Sequence, residues 1–258
     1  MKHESFYKRY EALILGGGAV LVAMAIWEYV FRQNWVSPLF FSGPSAIARE
    51  FVTQWTDGTL KEDLFFSGKN FLLGVSIAAV SAIVLGVIIG WYRTIRLICD
   101  PFINALYATP RIAMIPLIIL WVGIDWKAKV FIVFMSAFFP ILVNTVAGIR
   151  SLDRDLIRAA QAFCASDWQI FKTIAIPGSI PFILTGIRQG VALGLIGVVV
   201  GEMYGGSEGI GFQLNFNAQS FRTDIAFVCV LIVAAAGVIL SLLTERLERR
   251  FSRWRPER

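Results

Sequence analysis

The sequence predicts an all-α membrane protein with six spanning helices. Three observations carry this. Hydrophobic residues make up 57% of the 258 positions and charged residues only 16%, with a mean hydropathy of +0.67. Soluble domains hold about 45–50% apolar and about 25% charged residues. Uninterrupted apolar runs recur at the roughly 20 residues that one helix needs to cross a bilayer. Lysine and arginine are distributed asymmetrically about those runs.

The runs lie at about 12–31, 68–92, 102–123, 128–149, 180–203 and 223–244. The first follows Lys8 and Arg9 and is interrupted only by Glu28. It is longer than the apolar core of a signal peptide, and no A-x-A-like site follows it, so it reads as a retained helix. The second is the cleanest, from Gly68 to Trp91. The third contains Pro110 and Pro116 and is expected to be one kinked span, its freed carbonyls satisfied by neighbours. Between the first two runs, 32–67 is polar and holds Ser42-Gly43-Pro44-Ser45. There Ser45 is the expected cap of a short interfacial helix through Ala46, Phe51 and Trp55. Glu28 and Glu202 sit near outer boundaries and are expected to be solvated. The whole chain, 1–258, reads as a single transmembrane domain.

With the N-terminus in the cytoplasm, sixteen basic residues fall in inner segments and seven in outer ones. The inner set includes Lys2, Lys8, Arg9, Arg93, Arg96 and the basic tail at 245–258. This bias places both termini inside, a parity that six spans satisfy. The net charge of +6 therefore reads as topology rather than as a nucleic-acid footprint. Cys99, Cys164 and Cys229 are widely spaced and form no disulfide or metal pattern. The single histidine, His3, lies in a polar tail, which excludes a histidine metal site or triad. No G-x-x-x-x-G-K-[ST] stretch exists, so the usual ATP-phosphate loop is missing. The run Gly205-Gly206-Ser207-Glu208-Gly209-Ile210-Gly211 has no lysine after it and reads as an outer turn beside the translocation mouth.

The stretch from about 150 to 179 is too long and too regular for a simple inner turn. Leu156, Ile157, Ala160, Phe163, Ile170, Phe171 and Ile174 have nearly helical spacing, with a break at Ala165-Ser166-Asp167. Ser166 is the expected N-cap of a second helix beginning Asp167-Trp168-Gln169, and Pro177 is expected to end the unit. Two readings are open: a projecting pair of short helices, or an amphipathic loop lying passively on the membrane.

The spacing here resembles the cytoplasmic signature of ABC importer permeases, which is Glu-Ala-Ala, three residues, Gly, nine residues, then Ile-x-Leu-Pro. This chain has Arg158-Ala159-Ala160, Cys164 and Ile174-Ala175-Ile176-Pro177, with Arg158, Cys164 and Ile176 departing from the pattern. Ser42 to Ser45, Asp100-Pro101, Ile115 to Gly123, Phe138 to Thr145, Gly205 to Gly211 and Thr223-Asp224 extend the likeness to the nitrate, taurine and alkanesulfonate branch. The resemblance implies a type I importer permease fold in a bacterial inner membrane, with a cytoplasmic two-helix coupling element. It implies a non-catalytic subunit that moves a small solute, an oxyanion or a sulfonate, by alternating access. It also implies cytoplasmic ATPase partners that bind ATP and Mg, a soluble substrate-binding protein and a second permease copy. By position, Ala162, Phe163, Cys164, Ala165, Ser166, Asp167 and Trp168 form the docking apex, flanked by Ala159, Ala160 and Pro177.

Two further features stand beside that likeness. Gly186, Gly190, Gly194, Gly197 and Gly201 fall on one face of the fifth run, where small residues let helices approach closely. They serve packing within the chain, or a subunit interface or pathway. Gly86 and Gly90 form a weaker pair. Arg111 lies within the third run, where a charge marks a functional site by default; it lines the pathway or snorkels to the inner interface. A stand-alone secondary transporter would need an acidic ion-coupling cluster or inverted halves, and an intramembrane enzyme a nucleophile–base or metal constellation. Neither pattern is found in the sequence.

Overall fold

The computed structural model describes residues 6–251, with side chains from residue 15 to residue 250. The basic tail is thus described only in part. Lys2, His3, Arg253, Arg255 and Arg258 lie outside the described residues, as do the side chains of Lys8 and Arg9. Among the described residues every regular element is helical: α1 (Phe6–Arg32), α2 (Pro44–Asp57), α3 (Thr59–Trp91), α4 (Arg93–Ala108), α5 (Ile115–Val122), α6 (Trp126–Arg150), α7 (Arg154–Ala162), α8 (Asp167–Ile170), α9 (Ile176–Tyr204), α10 (Ile210–Gln219) and α11 (Thr223–Phe251). Among the described residues five helical stretches are long and apolar enough to cross a membrane, and the number is six when the bent pair α4 and 111–122 is counted as one span. The chain divides into two compact units, 1–61 with 213–231 and 62–212 with 232–258.

In the first unit, Trp27 donates its indole N–H to the Ser42 carbonyl at 2.8 Å and packs against Phe41 and Phe227. Ser45 does not cap α2. Gly43 holds the cap position and Pro44 opens the helix, so Ser45 falls inside the first turn. Its backbone N–H donates to Glu28 Oε2 at 3.0 Å. A negative group suits a helix N-terminus, and Pro44 suits the first helical position because its missing N–H would be unpaired there anyway. Glu28 is consequently not freely solvated: it also pairs with Arg32 at 2.6 Å, and its side chain is 21% exposed.

The second unit is built around α6 and α9. All five glycines of the α9 stripe are buried. A methyl group at Gly186 or Gly190 would strike Ile141 of α6, at Gly197 the Val133 backbone and Ser136, and at Gly201 Ile132. At Gly194 it would strike Val75 of α3. On α3, Gly74, Gly86 and Gly90 admit Val133, Thr145 and Ile149 in the same way. Ala78, Ala82 and Ala137 are fully buried while Val80 is 68% exposed and Leu120 77%. Small residues inside and large ones outside is how helices pack when the surroundings are as apolar as the interior.

The third run bends far more sharply than a single proline kink. Its two arms, α4 and the stretch 111–122, meet at 85°. Pro110 offers no N–H and disfavours a helical conformation in the residue before it; Thr109 is accordingly extended, at φ −67° and ψ 130°. A short 3-10 turn, Arg111–Met114, then leads into α5. Helix α4 has no buried residue and accommodates Pro101 in its interior.

Candidate functional site: the α7–α8 bend and the Arg111 cavity

Asp153 opens α7 by accepting the Asp155 N–H at 2.8 Å. The helix closes in a Schellman motif, with the Cys164 N–H donating to the Gln161 carbonyl at 2.9 Å and the Ala165 N–H to the Ala160 carbonyl at 3.0 Å. That motif requires a left-handed residue just beyond the helix, a place usually taken by glycine. Cys164 occupies it at φ +58°. Two residues later Ser166 caps α8 through a full capping box: its Oγ accepts the Gln169 N–H at 3.3 Å, and Gln169 Oε1 accepts the Ser166 N–H at 2.7 Å. The bend at 163–166 is thus closed from both sides by its own hydrogen bonds.

What the bend presents is apolar. Phe163 is 88% exposed and Trp168 67%, with Leu156 also exposed on α7. Trp168 stacks on Phe171, which meets Trp91 edge-on at 5.2 Å, so the aromatic tip is braced against α3. Arg158 points outward and pairs with Asp155 at 3.4 Å. Pro177 does not end this unit. The chain passes from α8 through one π-helical stretch, Phe171–Ala175, into α9, with Pro177 in the first turn. The wider turn removes the need for a proline N–H, so the second short helix is the start of a continuous helical stretch reaching Tyr204.

Arg111 stands at the 85° break, half-buried. Its Nη1 donates to the Ser136 carbonyl at 3.3 Å, and its guanidinium lies 5.3 Å from the Tyr107 ring and 5.6 Å from the Phe139 ring. Nε is buried without a hydrogen-bond partner. The guanidinium edges a cavity of about 30 Å³ lined by Ile115, Ile118, Met135, Ile196 and Gly197. That is the volume of about one water molecule.

Two charged residues are placed differently from the sequence expectation. Glu202, expected to be solvated, is fully buried, and Lys129, one of the seven basic residues counted in the outer segments, is 4% exposed. Their partners lie on α3 and in the glycine-rich turn, too remote in sequence for any local pattern to reveal. Among the described residues no cluster of His, Cys, Asp and Glu suited to a metal is present.

The fold is that of known importer permeases. The chain superposes on a chain of the MetNI methionine ABC transporter in an inward-facing conformation with a TM-score of 0.63, at 16% identity over 75% of this chain and 96% of that one. On a chain of an amino acid ABC transporter the TM-score is 0.61, at 18% identity over 78% and 96%. In sequence it is 29% identical to the taurine transport system permease protein of Escherichia coli strain K12, over 93% of this chain and 89% of that protein. It is 34% identical to a permease protein of the same organism named for aliphatic sulfonates transport, over 90% and 89%. With the riboflavin transport system permease protein of Chloroflexus aurantiacus it shares 31% over 96% and 92%. Residues 82–253 match the model of the binding-protein-dependent transport system inner membrane component. The chain belongs to that family: it is a membrane-spanning permease subunit of an ABC importer, in which ATP hydrolysis resides in a separate subunit.

Proposed function

We propose that this permease, acting as one domain over 1–258, pairs with a second copy of itself and imports a small oxyanion or sulfonate by alternating access. A soluble binding protein delivers the solute to the outer face. ATP and Mg bind to partner ATPases, and both termini lie in the cytoplasm. The observation that carries the coupling role is the bend itself. Phe163 and Trp168 stand exposed on a turn fixed by a Schellman motif and a capping box. An aromatic tip held rigid in advance loses little entropy on docking, which is what a force-transmitting contact needs. A cysteine at Ser166, in a chain whose native cysteines are replaced, is expected to cross-link to a groove of the ATPase. Robust ATP turnover by the isolated permease would refute the assignment.

The relatives named for taurine and aliphatic sulfonates support an anionic substrate. So does Arg111, a cation beside a cavity in an otherwise apolar setting, where attraction to an anion is little screened. The riboflavin relative, at similar identity, shows that family likeness alone leaves the solute open. With taurine as the probe, Arg111→Gln is expected to lower uptake by about tenfold, as loss of one charged hydrogen bond would, while assembly with the ATPase is unchanged. A cognate binding protein retaining only neutral or cationic ligands would overturn the anion and leave the importer standing.

A further inference from the structure

Five polar side chains meet at one end of the second unit, away from water. Asp63, Ser67 and Asn70 fall on one face of α3 and are 7%, 9% and 1% exposed. Glu202 comes from the last turn of α9 and Lys129 from the first turn of α6. The segment after α9 crosses this group and is tied to it by three consecutive backbone amides. Gly209 N–H donates to Asp63 Oδ1 at 2.7 Å, Ile210 N–H to Ser67 Oγ at 2.9 Å and Gly211 N–H to Glu202 Oε2 at 3.0 Å. Ser67 Oγ in turn donates to Glu202 Oε2 at 2.8 Å. The glycines permit this approach. Gly209 has φ +105°, and an added methyl group there would fall on the Glu202 carboxyl. At Gly206 it would fall on the Lys129 ammonium, which lies 4.4 Å over the Phe66 ring.

The group is only partly satisfied. Glu202 Oε1 and Asn70 Nδ2 make no hydrogen bond of good geometry, although Asn70 and the Lys129 ammonium both lie near the Glu202 carboxylate. A half-satisfied buried network is less stable than an apolar plug of the same volume, so this one weakens the closed arrangement it maintains. If the segment lifts, water reaches both poorly bonded atoms and offsets the amide bonds that are lost. The two arrangements are thereby drawn closer in free energy, as a moving part requires. In the proposed orientation the ends of α3, α6 and α9 joined here are the outer ones, and alternating access parts such ends.

We propose that residues 205–211 form a strap latched by Glu202, which holds this end of the bundle shut and releases when ATP drives the transporter outward-facing. The inference rests on the importer reading above. Ile210 belongs to the strap, is 3% exposed with the strap fastened, and serves as the reporter. Ile210→Cys is placed in a chain carrying Cys99→Ala, Cys164→Gly and Cys229→Ala. The complete complex with its ATPase, in lipid nanodiscs, is treated with a membrane-impermeant maleimide. Trapping with ATP and vanadate is expected to speed labelling on the order of tenfold, the yield of exposing amides held by charge-assisted bonds. Glu202→Ala and Ser67→Ala are each expected to give fast labelling without nucleotide. Glu202→Gln, which keeps an oxygen for both donors, is expected to stay slow.

Labelling that is equally slow with and without trapped nucleotide, in a complex shown intact by size exclusion, overturns the latch. Fast labelling in Glu202→Ala combined with no nucleotide effect in the parent chain makes the group a fixed strut, which also overturns it. Failure to form the complex would instead strike the importer reading, and in that case fast labelling of the unassembled Glu202→Ala and Ser67→Ala chains, beside a slow parent, still supports the fastening by Glu202.

Discussion

Cys164 holds the left-handed position of the Schellman motif at φ +58° with its side chain exposed. Replacing it by glycine removes steric strain and no packing. A left-handed residue with a Cβ costs roughly 1–2 kcal/mol, and glycine returns about 0.4–1 kcal/mol of that through the extra freedom of the opened chain. The net expectation is about 0.5–1 kcal/mol in favour of the closed bend. The Cys164 and Ala165 amides close the motif, so their hydrogen exchange in the detergent-purified permease reports its opening. Cys164→Gly is expected to slow exchange of the amides at 164 and 165 by about two- to fivefold, at tenfold per 1.4 kcal/mol. Cys164→Val, branched at the Cβ and poorly suited to positive φ, is expected to speed it. Unchanged or faster exchange in the glycine variant, together with an indifferent valine variant, would show that the turn conformation does not limit the bend.

Other substitutions test the remaining contacts. Ser166→Ala removes the cap of α8 and should weaken protection of the Gln169 amide by the equivalent of about 1 kcal/mol. Gly190→Ala drives a methyl group into Ile141 and the Ala137 carbonyl and should destabilise the fold by about 1–3 kcal/mol in thermal unfolding. Gly16→Ala, with nothing near its added carbon, should not destabilise the fold and is expected to raise its stability by about 0.4–1 kcal/mol. Arg158→Ala breaks an exposed pair only and should leave melting within about 0.5 kcal/mol.

The features legible in the sequence were those set by neighbours along the chain. Ser166 with Gln169 three residues on spells a capping box, and the bend formed where the apolar spacing broke. The glycine stripe announced a close helix contact, though not that α6 would provide it. Pro110 signalled a lost hydrogen bond, whereas the 85° turn depends on how each arm packs and is not encoded in the dipeptide. Pro177 misled because a proline in a helix's first turn and a proline ending a helix look alike until the preceding turn is known to be π-helical. Glu202 misled most. The hydrogen bond it accepts from Ser67 spans 135 positions, so hydropathy alone gives a solvated boundary residue.

If the α7–α8 bend docks on an ATPase as proposed, the uninterrupted passage from α8 through the π turn into α9 makes it one end of a lever. Its 38 residues, Asp167 to Tyr204, extend about 57 Å at 1.5 Å per residue. A tilt of about 5° about one end would carry the other through about 5 Å, close to one helical turn. A modest displacement of the aromatic tip therefore needs no relay of rearranging side chains to be felt at Glu202. The stiffness of one backbone delivers it, and the glycines at 186, 190, 197 and 201 keep that backbone close against α6 along its length.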